Sequence, residues 1–485
     1  MNFIQPEHLS RRAFLRRSSQ LALAGTALPF ALNLAAMGEA AAFDATDYKA
    51  LVCVFLQGGN DYANTVVTYD DPSYNAYNAI RGGGGGQTAG GIALGKADLA
   101  ATLLSPSAAL AGGRQYALHP SMTGMAGLFN AGKAAVQLNV GPLVAPLTRT
   151  QYDSPDHVNH PRPPNLFSHN DQQSIWQSSS PEGSTVGWGG NLGDLAQASN
   201  GSSVFTCISV TGNSVFLSGD SALQYQIGTD QAVRINSVSN SVYGSSAVRD
   251  AMQTIVQASS GQVLENEYNS VTRRAISAET KMTAALNGFP AANAPFASFT
   301  GANPLSAQLR MVARIIASRN ALSSKRQVFF VSLGGFDTHD NLLAQHGSLV
   351  GRLSSAMTEF YNATVALGVD KQVTAFTASD FGRTLTSNGD GSDHGWGSHH
   401  LMVGGAVKGQ AFYGSAPPLS VGNTGAPEDQ WHVGQGRLLP GTSVDQYAGT
   451  LAKWFGVADA EMSGILPNLS RFGGAGYPAN LGFMA

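Results

Sequence analysis

The sequence predicts an α/β fold in which helices cover both faces of a mostly parallel β-sheet. Continuous apolar runs, typical of strands buried on both faces, occur at 50–56, 134–140, 204–210, 328–333 and 373–378. Between some of these runs, apolar residues recur at helical spacing over 305–316 and 342–360. Buried strands that alternate with amphipathic helices favour a parallel sheet between two helical layers. A hydrophobic content of 43% is sufficient for such a core.

The first forty-two residues show the features of a twin-arginine export signal in the required order. Arg11-Arg12 precedes an apolar, alanine-rich stretch over 21–37, and three consecutive alanines then provide a small-residue cleavage site. We expect residues 1–42 to be removed after the twin-arginine translocase has exported the chain. The mature protein, 43–485, would then be periplasmic or secreted. The alternative is a cytosolic helix that happens to carry paired arginines.

The remaining composition disfavours several classes of protein. No other run approaches the roughly 18 apolar residues of a transmembrane helix, and no cysteine lies at the cleavage site, so we expect no stable membrane anchor. A net charge of −3 gives no basic surface, so we expect no nucleic-acid partner. Cys53 and Cys207 lie in apolar runs and are predicted to be buried and unpaired, with a disulfide as the alternative.

Two segments lack a strand pattern. Residues 82–91 are mostly glycine and predict a flexible surface loop, because no Gly-Lys-Ser/Thr follows to indicate a phosphate-binding loop. Residues 212–303 are rich in serine, asparagine and alanine, with helical stretches around 246–287. We predict that this second segment is an insertion or cap.

Three of the apolar runs lead into polar residues that include a carboxylate. The runs at 50–56, 328–333 and 373–378 are followed by Asp61, by Asp337 with His339, and by Asp380 with Arg383. The carboxyl ends of parallel strands meet at one edge of a sheet, and ligands bind in the crevice outside that edge. The sequence therefore predicts a functional site there.

Histidines concentrate in the same part of the chain. Five of the eleven are His339, His346, His394, His399 and His400. Several of them share a predicted glycine-hinged loop over 393–400 with an aspartate. Imidazole and carboxylate groups together are ligands of zinc and other divalent cations, so a metal site is predicted. The alternative is the ordinary polarity of exposed loops, and we expect His346, alone on a predicted helix, to be structural.

Several short motifs together resemble the DUF1501 family. They are GGND at 58–61 with NT at 64–65, LFSHNDQQ at 166–173, GFDTH at 335–339, SDFGR at 379–383, DHGWGSHH at 393–400 and TSVDQY at 442–447. DUF1501 in turn looks like a branch of the alkaline phosphatase/sulfatase superfamily. The resemblance implies one alkaline-phosphatase-like domain over 43–485, a three-layer sandwich with a central mostly parallel sheet and an inserted cap at about 212–303. It also implies two metal ions about 4 Å apart.

The same resemblance implies roles for individual residues. The metal ligands that it implies are Asp61, Asp337, His339, Asp380, His394 and His399. Ser168, before a predicted helix, would be the nucleophile. Asn60 and Asn64 would donate hydrogen bonds to the developing oxyanion. Arg383 would bind an oxygen of the ester, or would instead form a salt bridge at the strand end.

The sequence departs from the superfamily pattern at two points. Phe381 stands where a metal-binding histidine is usual, so one cation site is either remodelled, with His394 as the substitute, or lost. The Cys-x-Pro-x-Arg signature of sulfatases is absent, which disfavours cleavage of a sulfate ester by formylglycine. The nucleophile also has alternatives, because Thr65 and Thr338 lie beside the implied ligands.

These features predict an exported, metal-dependent hydrolase of a phosphate ester, with a sulfate ester as the lesser alternative, that uses two divalent cations and a serine or threonine nucleophile. Zinc is the expected cation, with magnesium, manganese or calcium as alternatives. The substrate would be a small-molecule or polymer ester. The other hypothesis is a non-catalytic member of the superfamily that binds a surface polymer or assists envelope assembly. The chain has neither a G-x-S-x-G elbow nor an H-E-x-x-H helix, which disfavours an acyl serine hydrolase.

Overall fold

The structure is a computed structural model that describes residues 45–82, 91–474 and 476–485. The predicted signal at 1–42 and nearly all of the glycine-rich segment lie outside these residues. Within the described residues, no helix combines the length and the apolar character that crossing a membrane requires.

One large, mostly parallel sheet forms the centre of the protein. The strands are β1 (Lys49–Leu56), β2 (Val66–Thr68), β3 (Tyr116–Leu118), β4 (Ala134–Gly141), β5 (Cys207–Ser209), β6 (Gln224–Gln226), β7 (Arg326–Leu333), β8 (Val373–Ser379), β9 (Ser398–Gly404), β10 (Phe412–Tyr413) and β11 (Thr442–Ser443). The sheet has the order β10-β4-β9-β8-β1-β7-β5-β6, with β11 also paired to β4, and β2 and β3 form a separate antiparallel pair. In the large sheet only β9 runs against its neighbours. The predicted mostly parallel sheet is confirmed.

Helices cover both faces of this sheet. They are α1 (Tyr62–Thr65), α2 (Asp71–Arg81), α3 (Thr123–Asn130), α4 (Arg149–Asp153), α5 (His169–Ser178), α6 (Trp188–Ala196), α7 (Asn236–Ser239), α8 (Ser246–Gln257), α9 (Val263–Asn287), α10 (Pro304–Ala317), α11 (Leu342–Ala366), α12 (Val444–Phe455) and α13 (Asp459–Ile465). Along β1, Val52 and Val54 pack with α3, α10 and α11, whereas Cys53 and Phe55 pack with α6, α12 and α13. Alternate residues of a strand point to opposite faces, so each face has its own core. Cys53 and Cys207 are both buried and unpaired.

The last residues of β1, β7 and β8 lie side by side in the sheet. Leu56, the last residue of β1, pairs with Leu333 at the end of β7 and with Ser379 at the end of β8. The polar segments that follow these strands therefore begin side by side, as the sequence predicted. The run at 204–210 forms a shorter strand than predicted, because a 3-10 turn occupies Ser203–Phe205.

The prediction of a loop over 393–400 is wrong in part. β9 begins at Ser398, and all seven of its residues are buried. Two histidines near its start interrupt the pattern of an apolar run, which is why the strand was missed. Because β9 runs antiparallel to β8, its beginning lies near the edge at which β8 ends. This direction brings His394 to that edge and takes His399 into the sheet.

The segment predicted as a cap has two parts. β6 pairs with β5 and extends the sheet, and the C-terminal half of α9 packs on the core through Met282 and Leu286. In contrast, α8 has no buried residue, and the first half of α9 exposes Leu264 and Tyr268. The segment thus both contributes to the sheet and projects from it, and its limits as an insertion remain a prediction.

The start of α12 contains a buried acid. Ser443 and Gln446 form a capping box that satisfies the first amides of the helix. Asp445, between them, is 3% exposed and accepts a hydrogen bond from the Asn468 amide at 3.0 Å. Burial raises the pKa of its carboxyl to about 6.

We expect Asp445→Asn to stabilise the protein at pH 7.5 by up to about 3 kcal/mol and by less than about 1 kcal/mol at pH 4. The folded-state pKa lies above the unfolded value, so the wild type loses stability as the pH rises toward about 6. The amide keeps an oxygen for the Asn468 N–H and carries no charge. Thermal unfolding at the two pH values measures the difference. Asp459→Asn, on the exposed side of α13, is the control, and an equal shift at both pH values would contradict the prediction.

Candidate metal centre

Four side chains converge at the carboxyl edge of the parallel strands. Asp337 and His339 lie in the loop after β7, His394 lies four residues before β9, and His169 is the first residue of α5. Ligand atoms of His169, Asp337 and His394 all lie within 4.8 Å of one another. His339 contacts both Asp337 and His394 at 3.0 Å. We call these four residues the imidazole cluster.

The spacing within the imidazole cluster suits a metal cation. Asp337 Oδ1 lies 3.0 Å from His339 Nε2 and 3.3 Å from His394 Nε2. Asp337 Oδ2 lies 3.4 Å from His169 Nε2, and the Nε2 atoms of His339 and His394 are 3.0 Å apart. Ligands bound about 2.0–2.1 Å from a tetrahedral zinc ion are separated by about 3.3 Å. The measured separations are therefore those expected of ligands that share an ion.

Hydrogen bonds fix the orientation of two of the imidazoles. His169 Nδ1 donates to Asp380 Oδ2 at 2.7 Å, and His394 Nδ1 donates to the Phe167 carbonyl at 2.8 Å. Both partners are acceptors, so each Nδ1 carries a proton and each Nε2 faces the cluster. The Nε2 atom of His169 is buried and has no hydrogen-bond partner in the described part of the chain. A carboxylate that holds the far nitrogen of a histidine is typical of metal sites.

The pKa shifts of Asp337 and His394 favour the protonation states in which these side chains bind a metal ion. Burial would raise the pKa of Asp337, but the hydrogen bond and charge of Arg383 outweigh burial and lower the pKa. Burial lowers the pKa of His394. At neutral pH these two side chains are therefore an anion and a neutral imidazole. The hydrogen bond to Asp380 raises the pKa of His169, so a proton competes with a cation at His169 Nε2.

Phe381 packs against two of the imidazoles. Its buried ring lies 4.8 Å from the ring of His169 and 4.6 Å from that of His394, measured between centroids. Gly59 makes room for this ring, because a Cβ at Gly59 would lie 2.4 Å from it. The phenyl group therefore restrains both imidazoles by packing.

The segments that build this site lie within a family match. The model described as "Protein of unknown function (DUF1501)" matches residues 48–460. The chain belongs to the DUF1501 family. This confirms the resemblance found in the sequence motifs. Among curated proteins, none matches this DUF1501 chain.

Two crystal structures described as Ps i-CgsB are similar to this DUF1501 chain. The match with each structure covers 87% of this chain and 77% of the other chain, with a TM-score of 0.34 in both cases. The identity is 8% for the complex with k-i-k-neocarrahexaose and 10% for the other structure. A TM-score this low does not establish a common fold.

The structure places Asp380 and Arg383 around the cluster rather than in it. Asp380 is fully buried and accepts hydrogen bonds from His169, from the Gly58 amide and from Gln173 Nε2. Arg383 is also fully buried and donates to Asp337 Oδ1 at 2.6 Å and to the Gly58 carbonyl at 3.2 Å. Of the two roles expected of Arg383, the geometry is that of the salt bridge. Both residues position cluster members.

Asp61 does not join the cluster. It caps α1 by accepting hydrogen bonds from the amides of Ala63 and Asn64. Its two oxygens also form a bidentate pair with Arg81, at 3.0 and 2.6 Å, and both side chains are fully buried. Sequence analysis did not identify Arg81, which lies at the end of α2. The carboxylate of Asp61 is committed to this pair, which does not fit the ligand role implied by the resemblance.

Three other implied residues are held in local structure. Asn60 Oδ1 accepts from the Thr65 hydroxyl at 2.9 Å, and Asn64 Nδ2 donates to the Ile92 carbonyl at 2.8 Å. His399 lies within β9, where its Nδ1 accepts from the Asn139 amide at 3.0 Å. Burial lowers the pKa of His399 to about 3. The metal role implied for His399 is therefore not supported, because the strand takes the side chain into the core.

No candidate hydroxyl is hydrogen-bonded to the cluster in the described part of the chain. Asn165 and Ser168, the residue directly before α5, lower the pKa of Asp171, so the Ser168 hydroxyl is directed toward that carboxylate. The hydroxyl proton of Thr65 is shared between Asn60 Oδ1 at 2.9 Å and the Asp61 carbonyl at 2.8 Å, and the hydroxyl of Thr338 donates to a carbonyl in its own loop at 3.5 Å. The residue next to Ser168, His169, is the one that reaches the site. It lies in the motif LFSHNDQQ, and its position at a helix start beside other polar residues was the available signal.

We expect Asp61→Asn to destabilise the protein by about 3–5 kcal/mol, because it leaves the buried Arg81 guanidinium without a counter-charge. Thermal and urea unfolding measure the loss. Asp153→Asn is the control, since Asp153 is 52% exposed in its pair with Arg149 and such pairs contribute about 0–1 kcal/mol. Equal effects of the two substitutions would show that the Asp61–Arg81 pair is not a structural requirement.

Proposed function

We propose that this protein is an exported, metal-dependent hydrolase of a phosphate ester, with a sulfate ester as the lesser alternative. The imidazole cluster would hold a divalent cation. The observation that carries the proposal is the convergence of three ligand atoms within 4.8 Å of one another, from His169, Asp337 and His394, with His169 Nε2 forming no hydrogen bond in the described residues. An orphaned buried nitrogen has a free-energy cost that a bound cation would remove.

The donor set points to zinc first. The two imidazoles of His169 and His394 and the carboxylate of Asp337 are typical zinc ligands, whereas magnesium and calcium prefer oxygen ligands. When bound, the cation supplies Lewis acidity that polarises a tetrahedral ester and activates water. The protein supplies the geometry: Asp380 orients His169, Arg383 holds Asp337, and the Phe381 ring restrains both neighbouring imidazoles.

The cluster is open to a substrate. Asp337 is 44% exposed and His339 is 40% exposed, although Arg383 and Asp380 behind them are fully buried. A cation held here would therefore have one side against the protein and one side facing solvent. Catalytic zinc sites have three protein ligands and an open position for water, and His169, Asp337 and His394 would leave that position on the solvent side.

The geometry supports water as the nucleophile and one cation at this cluster. No serine or threonine hydroxyl bonds a cluster member in the described residues, and Ser168 is engaged by Asp171. A second cation at Asp61, as the superfamily resemblance implies, would need that carboxylate to leave Arg81. The alkaline-phosphatase-like architecture and the periplasmic or secreted location belong to the same proposal. A parallel sheet with ligands at its carboxyl edge supports the first, and the twin-arginine motif supports the second.

The second candidate function is binding without catalysis. The absence of a hydroxyl at the cluster, within the described chain, favours it. Under this alternative, the metal-loaded cluster would bind an anionic group of a surface polymer or of an envelope component. Hydrolysis assays separate the two functions, because both require the cation and only one turns over an ester.

We expect the purified mature protein to contain about one zinc per chain and to hydrolyse 4-nitrophenyl phosphate or bis(4-nitrophenyl) phosphate. His394→Ala and Asp337→Ala should lose both properties, because each removes a ligand. Asp380→Ala should weaken zinc binding about 10–100-fold, because it removes only the partner that orients His169. Mass spectrometry of bound metals, zinc titration and a panel of phosphate, sulfate and phosphonate esters provide the measurements.

Two variants control for indirect effects. His157→Ala removes an exposed histidine away from the cluster and should change nothing. Asp61→Asn should lower stability without lowering the zinc content. The proposal would be overturned if the purified protein contained no stoichiometric metal and His394→Ala changed neither its metal content nor its activity. Zinc binding with no hydrolysis of any ester would favour the binding alternative.

A further inference from the structure

A polar groove runs along α5 beside the imidazole cluster. Its volume is about 280 Å³, close to the lower limit of about 300 Å³ for small-molecule sites. The residues that define it here, and that we call the amide groove, are Gln57, Asn170, Gln173, Gln177, Asn213 and Ser214. Asn170, Gln173 and Gln177 recur at helical spacing, so they share one face of α5.

The groove is linked to the cluster through Asp380 and through residues adjacent to it in the sequence. Gln173 Nε2 donates to Asp380 Oδ2 at 2.8 Å, and the same oxygen accepts from His169. Gln57 directly precedes Gly58, whose amide donates to Asp380. Asn170 directly follows His169 in α5. A molecule whose reacting group lies at the cluster would therefore place its adjoining part in this groove.

The lining has no cationic side chain and is rich in hydrogen-bonding groups. Among the described residues around the groove, Glu182 is the one with a charge, and no lysine, arginine or histidine lines it. Side-chain amides both donate and accept hydrogen bonds, as do the hydroxyls of a sugar. A groove without a cation offers little to a polyphosphate or a nucleotide chain, which arginine and lysine recognise. This lining matches a neutral, polyhydroxylated ligand.

One buried group of the groove has no partner among the described residues. The hydroxyl of Ser214 is buried in a residue that is 8% exposed, and no described residue hydrogen-bonds it. The side chains of Gln57 and Asn170 are exposed. A buried hydroxyl without a partner costs free energy, and a ligand hydroxyl in the groove would satisfy it.

We propose that the amide groove binds a neutral sugar unit of the substrate, so that the esters hydrolysed at the imidazole cluster are sugar esters. This inference rests on the proposed function for the identity of the reacting group. The groove itself is argued from its own residues. Gln57 and Asn170 donate to and accept from sugar hydroxyls, and Ser214 contacts the sugar at the inner end.

The test compares sugar and aryl esters in a double variant. We expect Gln57→Ala/Asn170→Ala to lower kcat/KM for glucose 6-phosphate about tenfold, from the loss of two neutral hydrogen bonds, and to leave kcat/KM for 4-nitrophenyl phosphate nearly unchanged. Gln262→Ala removes an exposed glutamine at the start of α9 and is the matched control. If neither phosphate is cleaved, glucose 6-sulfate and 4-nitrophenyl sulfate replace them in the same comparison.

A binding measurement separates this inference from the proposed function. Saturation-transfer NMR with methyl β-glucoside and methyl β-galactoside should show contact with the wild type and the Gln262→Ala control, and not with the double variant. Glycoside contact without hydrolysis of any ester would overturn the proposed function and support the groove. Hydrolysis with equal losses on sugar and aryl esters, or no glycoside contact in any protein, would overturn the groove.

Discussion

The common level at which β1, β7 and β8 end is the constraint on which the site depends. Leu56 pairs with both Leu333 and Ser379, so segments that lie hundreds of residues apart in the sequence start from one line. A shift of one residue would turn each strand's core side chains to the opposite face. Because both faces of β1 are packed, such a shift would expose apolar groups on each side. The two cores therefore fix the register, and the register fixes where the polar loops emerge.

Two buried arginines then decide which acids belong to the site. Arg383 binds one oxygen of Asp337 and leaves the residue partly exposed, whereas Arg81 binds both oxygens of Asp61 in a fully buried pair. A buried guanidinium needs a carboxylate, and a buried carboxylate needs its partner in return. Asp337 therefore remains accessible to solvent, whereas Asp61 is fully buried. The difference between the two lies in tertiary packing.

The sequence predicted the parts of the site that depend on strand ends. Asp337 and His339 follow an apolar run whose length and composition are those of a buried strand, and the parallel rule places them at the ligand edge. Asp61 follows an equally clear strand, yet its role differs because Arg81 reaches it from another element. No local pattern reports such a pair. His399 was misplaced for a related reason, since its strand is specified by its neighbours β4 and β8 and not by its own polar start.

The arrangement of nitrogen atoms in the cluster makes protons and a cation compete for the same lone pairs. His394 Nδ1 donates to a carbonyl, so its Nε2 presents a lone pair to His339 Nε2 at 3.0 Å. Two lone pairs at that distance repel, and one proton on His339 would convert the contact into a hydrogen bond. The hydrogen bond to Asp380 raises the pKa of the half-buried His169, and a proton on its Nε2 would face Asp337 Oδ2 at 3.4 Å. A divalent cation instead accepts from the imidazoles and from Asp337 together, which satisfies these groups with one positive centre.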